Sequence, residues 1–239
     1  MANRRGLFIL LEGTDGSGKT LQTGLLIKRL KKLNKKVEHI SFPQYGKPSA
    51  FLVEKYLNGE FGSASEVGPY RASILYAVDR FAAANQIKKW LKQGKIVIAN
   101  RYVASNMGHQ GGKIKNTKKR RQYLDWVYNL EYNILGIPKP DINLILHVTP
   151  KISQQLVDKK GERNYLKGKK RDIHEDDLNH LRDAEQAYLE INKRYPEFKI
   201  IECVRNNKIL PPKIIHEKIW QSLKKQFNNL SADEADLTI

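Results

Sequence analysis

The feature that most constrains this chain is an apolar run, Leu7-Phe8-Ile9-Leu10-Leu11, feeding through Glu12 into Gly13-Thr14-Asp15-Gly16-Ser17-Gly18-Lys19-Thr20. The octapeptide has the form G-x-x-x-x-G-K-[ST], and a helical pattern follows at once over residues 19–33. Glycines let backbone N–H groups turn inward around phosphate oxygens. Lys19 places a point charge beside the β- and γ-phosphates of a nucleoside triphosphate, and the Thr20 hydroxyl suits Mg²⁺. The N-terminus of the following helix aims its dipole at the same anion. Residues 13–20 are therefore expected to form a phosphate cradle between a buried strand and a helix. Motor ATPases, GTPases and small-molecule kinases all use such a loop. No N-K-x-D tetrapeptide for reading guanine follows it, which counts against a GTPase.

The rest of the chain alternates in the same way. Apolar runs at 37–42, 96–99, 142–148 and 198–204 read as further strands, and periodic segments at 65–92, 118–135, 151–160, 175–194 and 211–225 as helices. The first helix is expected to bury Leu21, Leu25, Leu26, Ile27, Leu30 and Leu33, and the helix over 118–135 to bury Tyr123, Val127, Leu130 and Ile134. Alternating β and α elements imply a parallel sheet covered on both faces. No Pro/Gly/Ser-rich linker interrupts the pattern, so one domain is expected over 1–230, with a small acidic tail at 231–239.

A chain of 239 residues with 40% hydrophobic content can bury a sizeable core, and its formal net charge of +18 favours polyanionic partners without choosing among them. The single cysteine, Cys203, excludes an intrachain disulfide and fits a reducing compartment. Apolar runs fall far short of the roughly 20 residues needed to cross a bilayer. Residues 1–5 lead into 7–11 without a secretory signal pattern, so a cytoplasmic location is expected. The histidines show no metal-ligand spacing with Cys203, so no structural zinc is expected, and Mg²⁺ should arrive with the nucleotide.

Several further segments resemble the signature segments of thymidylate kinases: Phe42-Pro43-Gln44-Tyr45-Gly46, Leu75-Tyr76-Ala77-Val78-Asp79-Arg80, and Asn100-Arg101-Tyr102-Val103-Ala104-Ser105-Asn106. Gly136-Ile137-Pro138-Lys139-Pro140-Asp141 and Arg171-Asp172-Ile173-His174-Glu175 are similar too, and the likeness runs in order over about residues 8–195. The resemblance implies a five-stranded parallel P-loop sheet with a lid, usually in a homodimer, that moves the γ-phosphate of ATP onto dTMP with Mg²⁺. It implies that Arg101 binds the acceptor phosphate with Tyr45 beside it. Tyr76 would stack on the base, Arg80 would donate to its O4, and Ser105 and Asn106 would touch its other edge. Asp15 would lie near the acceptor sugar and the metal, and His109 near the ribose 2′ position. Tyr76 and Arg80, four apart, share a helix face, and a donor-only guanidinium suits the O4 of thymine or uracil while opposing the N4 amino group of cytosine.

Two departures stand out. Some members of that family carry an arginine inside the phosphate loop where this chain has Gly16. The missing charge is expected from Arg163 or Arg171, in a basic lid over 159–173 that also holds Lys159, Lys160, Lys167, Lys169 and Lys170. The family pattern also has Asp before the Arg-Tyr pair, where this chain has Asn100; asparagine keeps an acceptor oxygen for the metal and loses the charge. Other readings are a kinase for another pyrimidine nucleotide or a deoxynucleoside, or a basic P-loop protein that binds nucleic acid through Lys113, Lys115, Lys118, Lys119, Arg120 and Arg121. That run has few interleaved aromatics, which makes nucleic acid the less favoured partner.

Overall fold

The computed structural model describes residues 5–158 and 178–235. The basic loop, with Arg163 and Arg171, lies outside the described residues. Five parallel strands, β1 (Phe8–Glu12), β2 (Val37–Ser41), β3 (Ile96–Asn100), β4 (Ile142–His147) and β5 (Phe198–Glu202), form one sheet in the order β2-β3-β1-β4-β5. The helices are α1 (Lys19–Lys32), α2 (Phe51–Leu57), α3 (Ala64–Lys92), α4 (Val103–Ser105), α5 (Thr117–Tyr128), α6 (Pro150–Asp158), α7 (Leu178–Arg194) and α8 (Pro212–Ala235). Helix α4 continues as a π-helical turn over Asn106–Gln110, and α5 as another over Asn129–Ile134. A two-stranded hairpin, β6 (Val204–Arg205) and β7 (Lys208–Ile209), replaces the end of the expected last strand. Helix α8 continues past Ser231, where the tail is expected to begin.

The central strand shows why the sheet is apolar on both faces. Side chains alternate along a strand, so Ile9 and Leu11 join Leu26 and Leu30 of α1 and Ile219 of α8 on one face. Phe8 and Leu10 join Ile87 of α3, Tyr123 of α5 and Ile191 of α7 on the other. Glu12 continues the Phe8–Leu10 series and is fully buried on that second face.

Two helices differ from their expected faces. In α1, Leu26 and Leu30 are buried with Lys19, Gln22 and Thr23, whereas Leu21 and Leu33 are half exposed. The loop requires Lys19 to face back onto it, and residues in line with position 19 at helical spacing are 22, 23, 26 and 30. After α5, Glu131 and Tyr132 are buried while Ile134 is exposed, against the expectation for Leu130 and Ile134. A π-turn holds more residues per turn than an α-turn and shifts the inward face.

Candidate active site

A cleft of about 660 Å³ opens at the carboxyl ends of β1 and β3. The connection from β1 runs to one side of the sheet order and that from β3 to the other, so the cleft sits at the topological switch point, where open α/β sheets bind ligands. Asp15, Gly16, Gly18, Lys19, Thr20, Tyr45, Tyr76, Arg80, Asn100, Arg101, Ser105, Asn106 and His109 all line it. Gly13, Thr14 and Ser17 are buried behind the loop as its support.

On the phosphate-loop side, Lys19 Nζ donates to Gly13 O at 2.9 Å and Thr14 O at 2.8 Å, spanning the loop from within. The cap of α1 at Gly18 has no side-chain hydrogen bond, which leaves the first N–H groups of the helix for an anion. Ser153 of α6 fastens the back of the loop. Its hydroxyl meets Thr14 Oγ1 at 3.1 Å and donates to Asp15 O. Gly16 has φ +80°, and a Cβ there would stand 2.3 Å from Ser153 O. No side chain fits at position 16 with this backbone, which accounts for the missing loop arginine.

Arg101 faces the loop from the end of β3. It has a left-handed φ of 67°, and its N–H donates to Leu11 O at 3.1 Å. Its Nη2 pairs with Asp15 Oδ1, and its Nη1 reaches His109 Nε2 at 3.0 Å and Ser105 Oγ at 3.3 Å. Burial works against the charge, but Asp15 together with the other acidic groups around it, Tyr188, Glu12 and Tyr45, outweighs burial, so the guanidinium pKa lies above its ordinary value. Asp15 is thus joined through Arg101 to the acceptor side of the cleft, one of the two neighbourhoods the resemblance implies for it.

The turn carrying Arg101 is held by Glu12. Its Oε1 accepts from the N–H groups of Tyr102 at 2.6 Å and Ser105 at 3.0 Å. Its Oε2 accepts from Ser105 Oγ at 2.8 Å and Tyr188 OH at 3.1 Å. These bonds commit Glu12 to the turn. Ser105 likewise donates to Glu12 and supports Arg101 instead of turning its hydroxyl proton toward a base.

Arginine is donor-only, so His109 Nε2 is an acceptor, and its Nδ1–H is left to donate to His180 Nε2 at 3.3 Å. Burial first, then Arg101, holds the His109 pKa well below the usual histidine value, and the ring is neutral.

The far end of the cleft is built from α2, α3 and the two π-turns. Tyr76 is half-buried, edge-on to Tyr56 at 6.2 Å, and presents part of its ring to the cleft. Arg80 is buried and paired with Glu131, Nε to Oε2 at 2.5 Å and Nη2 to Oε1 at 2.8 Å. Burial opposes its charge and Glu131 outweighs burial, so its pKa is raised. Asn106 Nδ2 donates to Ser73 O and to Glu131 Oε1, each at 3.0 Å. Both recipients are pure acceptors, which fixes the amide with Oδ1 as its unspent atom. The neighbouring Asp79 pins the loop carrying Tyr45 by accepting from Gln44 N at 2.8 Å and Ser49 Oγ at 2.6 Å. Sequence reasoning missed Glu131, Ser153, Tyr188 and His180. No motif marks them, and each reaches the cleft only through tertiary packing.

Asn100 Nδ2 lies 3.4 Å from Thr20 Oγ1, and Asn100 Oδ1 is buried with no hydrogen-bond partner. A buried, unspent oxygen beside a hydroxyl at the mouth of the phosphate loop is the donor set that a hard divalent cation takes. The residues fit Mg²⁺.

A family model described as thymidylate kinase matches residues 11–214. The thymidylate kinase of Plasmodium falciparum is 32% identical over 164 residues, 69% of this chain and 71% of that protein. That of Mycobacterium tuberculosis is 29% identical over 187 residues, 77% of this chain and 85% of that protein. The solved structure of the Candida albicans thymidylate kinase superposes with a TM-score of 0.72 at 22% identity, covering 94% of this chain and 93% of that one.

Proposed function

The chain belongs to the thymidylate kinase family, and we propose that it transfers the γ-phosphate of ATP to dTMP, giving dTDP and ADP for dTTP synthesis. The observation that carries this reading is that the phosphate loop and Arg101 confront each other across one cleft, bridged by Asp15. The loop amides and Lys19 hold the donor phosphates. Arg101 holds the acceptor phosphate opposite, with Tyr45 beside it, which makes transfer a matter of positioning and charge. A phosphate monoester is largely a dianion at pH 7 because its second pKa is about 6. The attacking oxygen therefore needs no general base. Neutral His109 and the Arg101-bound Asp15 are both already committed to orienting the arginine. Thr20 and Asn100 would hold Mg²⁺, which when bound neutralises charge on the transferring phosphates. Arg163 or Arg171 would supply the positive charge that the phosphate loop lacks at Gly16.

Tyr76 offers a stacking face to the base. Arg80 retains Nη1 as a donor and Asn106 retains Oδ1 as an acceptor, a pattern that matches a 4-oxo pyrimidine with an N3–H and opposes cytosine. The exposed apolar stripe Ile74, Val78 and Phe81 on α3 supports a homodimer, since such patches mark interaction surfaces. The single cysteine, Cys203, fits a reducing, cytoplasmic setting; no helix among the described residues is long and apolar enough to cross a membrane.

A nucleic-acid role draws less support. Much of the basic run is engaged locally: Lys115 with Asp183, and both Arg120 and Arg121 with Glu190. The test is to incubate the protein with ATP, Mg²⁺ and each nucleoside monophosphate separately. dTDP is expected from dTMP well ahead of any product from dCMP; equal turnover, or none with dTMP, would overturn the reading.

A further inference from the structure

Arg80 on α3 and Asn106 after β3 come from different elements, yet both hang from one carboxylate. Glu131 is fully buried. Its Oε2 accepts from Arg80 Nε at 2.5 Å, and its Oε1 accepts from Arg80 Nη2 at 2.8 Å and Asn106 Nδ2 at 3.0 Å. We propose that Glu131 is the positioning residue that sets base choice, by fixing at once which atom each of two cleft residues turns to the pyrimidine. This rests on reading the cleft as the dTMP site.

An unbroken α-helix through residues 129–134 would place Leu130 and Ile134 inward, in step with Tyr123 and Val127. The π-turn instead brings Glu131 inward among aromatic rings, next to Tyr132 and close to Tyr102. A buried carboxylate is tolerated only when paired and hydrogen-bonded, and the two partners meet that need.

The same bonds restrict the partners. A carboxylate is acceptor-only, so Asn106 must turn Nδ2 to it, and the second Nδ2 hydrogen goes to Ser73 O at 3.0 Å. Oδ1 is then the only amide atom with capacity left. Arg80 uses Nε and Nη2 in a fork, leaving Nη1. The resulting display of one donor beside one acceptor complements a carbonyl next to an imide N–H, and mismatches the amino group and bare ring nitrogen of a 4-amino pyrimidine.

A glutamine at 131 removes this constraint. Its amide can accept from only one oxygen, and its NH₂ opposes a donor on Arg80 or on Asn106. Asn106 could then rotate and offer Nδ2 to the base.

The experiment compares kcat/KM for dTMP and dCMP in wild type and Glu131→Gln, with ATP KM measured alongside. The dTMP-to-dCMP ratio is expected to fall by about tenfold or more, because a buried polar mismatch is what normally rejects the wrong base. The KM for dTMP should rise while the KM for ATP stays constant. An unchanged ratio, including a proportional loss of activity on both monophosphates, would overturn the proposal and leave Glu131 a merely structural ion-pair partner.

Should the glutamine variant not fold, Glu131→Asp decides. It keeps the charge, but being one methylene shorter it cannot hold both partners. Its ratio is expected to fall at least threefold; an unchanged ratio refutes the idea. Wild-type protein inactive on dTMP would sink the functional reading itself. A selective wild type with an equally selective variant would sink only the role of Glu131.

Discussion

Replacing Gly16 by alanine tests how tightly α6 closes the back of the phosphate loop. The new Cβ would stand 2.3 Å from Ser153 O and 3.1 Å from Ser153 C, both backbone atoms that cannot move without shifting the helix. Two effects add. A non-glycine residue at φ +80° costs roughly 1–2 kcal/mol, and forcing a methyl group into packed surroundings typically adds about 1–3 kcal/mol. At roughly 2–4 °C per kcal/mol for a domain of this size, the melting temperature without nucleotide should fall by about 4–20 °C. Gly18 supplies the control. It has a nearly identical φ of +85° and nothing within 4 Å of its Cβ, so Gly18→Ala meets the backbone term alone, about 2–8 °C. The assay is thermal unfolding of both variants beside wild type. Gly16→Ala melting at or above Gly18→Ala would refute the claim that the Ser153 carbonyl, rather than backbone strain, excludes side chains at position 16. The same contact predicts that Gly16→Arg gives no gain in turnover.

Asn100→Asp should lower the Mg²⁺ concentration needed for half-maximal activity by roughly fivefold, since an ionised acceptor contributes on the order of 1 kcal/mol more than a neutral one. A second readout is a larger Mg²⁺-induced rise in melting temperature than wild type shows; identical Mg²⁺ titrations would remove position 100 from the metal site. Arg163→Ala combined with Arg171→Ala should lower kcat at least a hundredfold while KM for ATP changes little, and an unchanged kcat would exclude both as the lid charge. His147 bridges Glu185 at 2.8 Å and Glu202 at 2.7 Å. Burial opposes its charge, but the two carboxylates outweigh burial and raise its pKa. A raised folded-state pKa contributes stability that is fully present below the ordinary histidine value of about 6.5 and disappears as pH rises through the higher folded value. The stability difference between wild type and His147→Gln should therefore be larger near pH 6 than near pH 9, and a pH-independent difference would contradict the bridge.

Much of the fold was legible because its signals are local. The phosphate loop, the five apolar strands and the helices between them each repeat a short period, and β1 to β5 lie within a few residues of their expected spans. The residues named for the cleft also gather there, from Lys19 through Tyr76 and Arg80 to Arg101 and Asn106. What could not be read depends on contacts distant in sequence. The face of α1 is set by where Lys19 must point, so a count of leucines misplaces Leu21 and Leu33. Glu131 turns inward because of a π-turn that periodicity does not encode, and it then displaces the expected Leu130 and Ile134. Glu12 looks like a spare carboxylate beside the loop. Only the pairing of β1 with β3 puts it under the Tyr102 and Ser105 amides.

A complex of the protein with dTMP and a non-hydrolysable ATP analogue tests the two-sided cleft most directly. The monophosphate should lie on the Arg101 guanidinium with nitrogen-to-oxygen separations of about 2.7–2.9 Å and with its pyrimidine edge toward Arg80 and Asn106. A monophosphate bound elsewhere, with Arg101 still closed on Asp15, would leave the γ-phosphate no acceptor and contradict the account.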